Sequence, residues 1–196
     1  TIWTYRNHLA ERGLITKLFN RFDRFLTEQG YTAKKGMLVD ASIVEVPRTR
    51  NSREDNETLA AGKLPESWTA NPHILRQKDR DARWTKKHGE RYYGYKNHIN
   101  ADVKHKLVRR WAVSAASVHD SRAFGTLFDK KNSRKAVWAD SAYRSEARDR
   151  WLKRVGCENH IHYRAAREHP LSEAKQLANR RRSRIRRRTR RQRRRR

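Results

Sequence analysis

MLVDASIVEV, residues 37–46, carries Val39, Ile43, Val44 and Val46 on a short run closed by Pro47. Branched side chains at that density favour an extended, pleated backbone, and proline ends it, so the stretch reads as a β-strand. Asp40 sits in its middle among Leu38, Val39, Ala41 and Ile43. A carboxylate in so apolar a setting requires a specific partner or a specific task.

Upstream of the strand, Leu14, Ile15, Leu18, Phe19, Phe22, Phe25 and Leu26 recur every three or four residues before Gly30. That spacing predicts an amphipathic helix stopped at the glycine. Downstream, residues 48–91 are polar, contain Pro65 and Pro72, and read as a long insertion with one short helix around 74–84. Residues 91–101 and 106–115 then form a predicted antiparallel hairpin turning at 102–105. Residues 118–128 read as a helix capped by Asp120 or Ser121, and 135–139 as a short strand ending at Asp140. A helix over 145–155, a strand over 159–162 and a helix capped by Ser172 and running into the arginines complete the order. A hairpin followed by alternating helices and strands is mixed α/β, a three-stranded antiparallel part extended by parallel strands.

The chain has 196 residues and a formal charge of +28, from 49 Lys and Arg against 21 Asp and Glu. Thirteen of those arginines lie in residues 180–196 with no acid among them, which leaves +15 for the rest. Such an excess predicts a polyanionic partner, with nucleic acid the best fit, and excludes an acidic or charge-neutral surface as the basis of function. Six Trp, seven Tyr and five Phe set the body apart from a disordered basic chain. The single cysteine, Cys157, allows no internal disulfide and suits a reducing compartment. With no apolar run of about 20 residues, a cytoplasmic protein without membrane contact is expected. The chain opens on Thr1 rather than Met, as a fragment would.

Two carboxylates stand out, Asp40 within the first strand and Asp140 at the end of VWAD, residues 137–140. If their strands are neighbours, both can reach one hard divalent cation, and a pair of such ions roughly 3.5–4 Å apart suits phosphoryl transfer. The alternative from spacing alone is a buried salt bridge at Asp40 and a turn cap at Asp140. His119 and Asp120 are open to the same choice between a site and a cap.

The stretches LVDASIVEVPRTRNSRE at 38–54, LRQKDRDARWTKKHGERYYGYKNHI at 75–99, VHDS at 118–121 and VWADSAYRS at 137–145 resemble the DDE transposases of bacterial insertion sequences, the IS-five type in particular. The similarity runs to about Ile185. It implies an RNase H-like mixed sheet with flanking helices as the catalytic domain over 36–178, with an insertion at about 48–90, an N-terminal helical segment over 1–35 and an arginine-rich tail over 179–196. It also implies Asp40 and Asp140 as catalytic metal ligands, Mg²⁺ or Mn²⁺ as cofactor, and insertion-sequence ends and target DNA as partners. A bacterial, nucleoid-associated location and a homodimer as candidate assembly go with it.

The resemblance also implies a third acid, a Glu, on the last helix. Its register falls on Arg190, and no Asp or Glu follows Glu173. Such a chain is expected to be defective, with Glu173 or Glu168 as the nearest substitutes. RRTRRQRRRR at 187–196 reads as the product of a one-base slip in GC-rich coding DNA. The basic stretch Arg76, Lys78, Arg83, Trp84, Lys86 and Lys87, then Lys96 and His98, then Arg180, Arg181 and Arg182, supplies the expected DNA contacts. Solvated charge and strand packing are the competing readings for the first two groups.

Overall fold

The structure, a computed structural model, describes residues 2–46, 50–87, 89–132, 135–166 and 169–194, with the side chains of 2, 3, 6 and 188–194 left out of the description. Two helices, α1 (Ile2–Glu11) and α2 (Leu14–Glu28), lead into β1 (Met37–Glu45). The insertion holds α3 (Arg53–Ala60), α4 (Glu66–Thr69), α5 (Pro72–Gln77) and β2 (Arg83–Lys87). The long strand β3 (Glu90–Asp102) and β4 (Val108–Ala115) follow, then a 3-10 turn at Asp120–Ala123 running into α6 (Phe124–Leu127). The chain continues as β5 (Ala136–Trp138), a 3-10 turn at Ser141–Tyr143, α7 (Glu146–Arg154), β6 (Glu158–Asn159) and α8 (Glu173–Arg194).

The strands form one mixed sheet in the order β3-β1-β5-β6, with β4 and β2 sharing the far side of β3. β1 runs antiparallel to β3 and parallel to β5, and β6 is parallel to β5. This is the RNase H-like order expected from the sequence.

Met37, Leu38 and Val39 are at most 1% exposed because both faces of β1 are covered. Met37 and Val39 join Phe124, Leu127, Tyr143, Leu152 and Ile161 under α6 and α7. Leu38 packs on the opposite face with Trp138 and with Ile185 of α8. The α8 segment over 179–186 is therefore a packed element, part of the helix expected to run into the arginines. Among the described residues no helix is long and apolar enough to cross a membrane.

The strand expected over 159–162 is only the two-residue β6, the insertion holds three helices among the described residues where one was expected, and two further elements differ. Residues 74–84 do not form one helix: α5 ends at Gln77, and Trp84 lies in β2, opposite Tyr93 of β3. The charges there mask a strand that needs only one partner and leaves its outer edge in solvent. Over 118–128 the expected helix is a 3-10 turn joined to a single α-helical turn. His119, rather than Asp120 or Ser121, caps it, accepting from the Ser121 N–H at 3.3 Å.

Gly94 marks the point where β3 changes partner from β2 to β4. Its φ is +151°, and a Cβ there would lie 2.2 Å from the Val44 carbonyl oxygen. Because the obstruction is backbone, it cannot rotate away. Gly94→Ala is expected to lower stability by roughly 3 kcal/mol or more, read as a fall in denaturant midpoint. A midpoint unchanged from wild type would contradict that.

Candidate active site

The parallel register of β1 and β5 brings the two carboxylates together. Leu38 is paired with Trp138, and both side chains lie on the α8 face. Side chains in extended backbone alternate with period two. Moving two residues along each chain therefore puts Asp40, in the middle of β1, and Asp140, just past the carboxyl end of β5, side by side on that face.

Both acids meet a guanidinium. Arg186 of α8 donates from Nη2 to Asp40 Oδ1 at 3.4 Å, and the same nitrogen lies 3.7 Å from Asp140 Oδ2. Two oxygens within reach of one nitrogen are well inside the separation of about 10 Å beyond which a shared ion is excluded. The side chain of Asp40 is 5% exposed and that of Arg186 12%. Asp140 also accepts from the Ala142 N–H at 3.1 Å, capping the turn that follows it. Salt bridge, cap and convergence on one point, posed as alternatives by the sequence, thus coexist.

Burial raises the Asp140 carboxyl above the usual range, with Asp40 and Asp120 adding to the effect, while Arg186 and the Ala142 N–H oppose it. Tyr143 is likewise pushed up, first by burial and then by the field of Asp120, Asp140 and Asp40. Asp120 pairs with Lys96 at 2.9 Å, and Lys96 also donates to the Val118 carbonyl at 2.8 Å. Asp120, Asp140, Lys96, Lys86 and Lys87 line one cleft of about 230 Å³.

Asp40 and Asp140 are hard oxygen donors of the kind Mg²⁺ or Mn²⁺ takes. The place between them, however, holds the Arg186 cation, and the described residues include no group of three or more His, Cys, Asp or Glu able to hold a metal. As arranged, these residues do not fit a divalent ion. Glu173 cannot complete the set: thirteen residues of helix, roughly 20 Å at 1.5 Å per residue, separate it from Arg186. Glu168 and the side chain of Arg190 lie outside the described residues. Arg190 stands four residues after Arg186 in α8. That four-residue spacing was the one signal in the sequence that could have singled out Arg186.

The expected DNA contacts divide by exposure. Arg76, Lys86, Lys87, Arg180 and Arg181 are exposed cations. Arg83 is half-buried and donates to the Arg80 carbonyl at 2.6 Å, and Trp84 packs on Tyr93 beneath Arg50. Lys78 is spent on the Arg50 carbonyl and the Trp68 ring. Arg182 donates to the Ile161 carbonyl at 2.7 Å and stacks on Tyr163, which pins α8 to the body. His98 is fully buried, bonded to Ser114 Oγ at 2.8 Å, and burial lowers its pKa.

His162 faces the same helix, with Ser183 Oγ 3.5 Å from its Nε2. Burial, then Arg186 and Arg182, lower its pKa from 6.5 to about 4. A histidine held neutral in the fold contributes stability that is present above 6.5 and is lost as the pH falls towards 4. Its ring keeps some solvent contact, so the expected loss is on the order of 1–2 kcal/mol rather than the full worth of the shift. Denaturation midpoints at pH 7 and pH 4.5 should diverge less in His162→Asn than in wild type. Equal divergence would remove His162 from the acid response.

A mixed sheet whose antiparallel strands β1 to β4 are extended by the parallel β5 and β6, with one acid in the middle of β1 and another just past the end of its parallel neighbour β5, defines the RNase H-like class. The family model described as "Transposase DDE domain" matches residues 31–196, and the chain belongs to that family. It is also similar to the transposase for insertion sequence element IS1106 of Neisseria meningitidis serogroup B, at 29% identity over 178 residues. That alignment takes in 90% of this chain and 59% of the relative, so the chain spans about three fifths of its relative's length. No solved structure matches the chain.

Proposed function

We propose that this chain binds insertion-sequence DNA across the lysine-lined cleft that Asp140 lines beside Asp40, and that its cleavage and strand-transfer activity is defective. The carrying observation is the pairing of both carboxylates with Arg186. The paired acids, the cationic rim and the family support a polynucleotide substrate; the guanidinium between the acids accounts for the defect. A catalytically silent DNA-binding remnant is the second reading, favoured by the same guanidinium.

Nicking and strand transfer on a duplex carrying insertion-sequence ends, with Mg²⁺ or Mn²⁺, test the proposal. The chain should work at or near background. Arg190→Glu alone should remain about 100-fold or more below a competent enzyme, because Arg186 stays in place and small errors of position cost that much. Robust transfer by the unaltered chain, abolished by Asp40→Ala, would overturn the defect. Failure to bind duplex DNA at low salt would overturn both readings.

A further inference from the structure

A second cleft, of about 840 Å³, opens between α3 and the β2 strand. Its size lies within the roughly 300–1,000 Å³ typical of small-molecule sites. It adjoins the carboxylate cleft, because Thr85 and Lys86 line both.

Two observations say what it takes. Asn51, 3% exposed, and Asn56 both line the cleft, and each has a buried amide oxygen with no hydrogen-bond partner among the described residues. Their amide nitrogens are committed, Asn51 to the Asp79 carbonyl at 2.7 Å and Asn56 to the Ser52 carbonyl at 2.8 Å. Since a carbonyl needs a donor, neither amide can be turned round, and the orphaned atoms are true acceptors. A ligand that brings N–H donors would satisfy both oxygens.

The second observation is electrostatic. Lys86 and Arg91 are direct cross-strand partners, both exposed, both lining the cleft, and neither forms an ion pair among the described residues. Like charges placed opposite one another on a sheet destabilise it unless an anion lies between them. A ligand with a phosphate and a ring bearing N–H donors is a nucleotide. A base paired in a duplex leaves one groove-facing N–H on its exocyclic amine, so a base that donates to both Asn51 and Asn56 is unpaired.

We propose that this cleft is a subsite for one unpaired nucleotide of the DNA strand whose neighbouring phosphodiester lies at Asp40 and Asp140. The base enters beside Trp84 with Asn51 and Asn56 accepting its N–H groups, and Lys86 and Arg91 hold its phosphate. This assignment rests on the DNA reading above.

Fluorescence anisotropy in EDTA compares a blunt duplex with the same duplex carrying a short single-stranded overhang, so that metal chemistry plays no part. The overhang should bind about ten-fold tighter, of the order that one well-held base supplies. Asn56→Ala should cut that advantage to about three-fold or less while leaving blunt-duplex affinity within about two-fold. Arg91→Gln, an exposed change that spares the fold, should also reduce the advantage. A 2-aminopurine in the overhang should change its emission on binding to the wild type and not to Asn56→Ala. Equal binding of blunt and overhanging DNA, or an advantage untouched by both variants, overturns the subsite and leaves the DNA reading standing. Binding to neither DNA overturns both.

Discussion

Arg186→Gln is expected to raise affinity for Mn²⁺ by at least about ten-fold, a gain of about 1.4 kcal/mol, while lowering metal-free stability. In the wild type one guanidinium nitrogen lies 3.4 Å from Asp40 and 3.7 Å from Asp140. At an effective dielectric of about 20, charges that close interact by roughly 4–5 kcal/mol, so an incoming cation must displace a partner already in place. Removing the guanidinium takes one opposite charge away from Asp40, which is 5% exposed. Breaking a buried pair from one side costs about 3–5 kcal/mol. Added Mn²⁺ should then stabilise the variant by mass action and leave the wild type unmoved. Titration calorimetry and thermal denaturation with and without Mn²⁺ give both numbers. Equal Mn²⁺ affinity in the two proteins would show that Arg186 does not hold the cation position.

The second large effect concerns salt. Residues 187–196 contain eight arginines and no acid. Ending the chain after Arg186 should reduce DNA affinity at about 50 mM salt by on the order of 100-fold and lower the slope of log affinity against log salt by several units. Binding should persist, because +20 remains on the shortened chain. The place of the cut matters. Removing 180–196 also takes away Arg182, Ile185 and Arg186, which hold α8 against Ile161, Trp138 and Asp40. That longer deletion should lose stability as well as charge, whereas the cut after Arg186 should keep the denaturation midpoint. A salt slope unchanged by the shorter cut would mean that those eight arginines do not meet phosphate.

Much of the sheet is legible in the sequence. The β1 strand announces itself through branched residues, and its pairing with the hairpin and with β5 follows from the order of elements. The strand β2 was not legible, since RWTKK at 83–87 is mostly polar and becomes a strand only because β3 offers a free edge. Asp40 and Asp140 were found by setting and by resemblance. The nucleotide cleft gave only a partial signal, Trp84 among basic residues; its two asparagines are unremarkable in sequence, and only the orphaned oxygens mark them.

Residue order alone was enough for the class of fold, the family, the two acids and the positive charge, because each rests on local pattern or on long consecutive similarity. The tertiary structure alone decided what stands between the acids. Arg186 lies 146 positions from Asp40, and apart from its four-residue spacing to Arg190 nothing distinguishes it from the arginines on either side. It is selected by the angle at which α8 crosses the sheet, which Ile185 on Leu38 and Trp138 and Arg182 on Tyr163 set by packing. A one-residue rotation of that helix, about 100°, would aim a different side chain at the carboxylates.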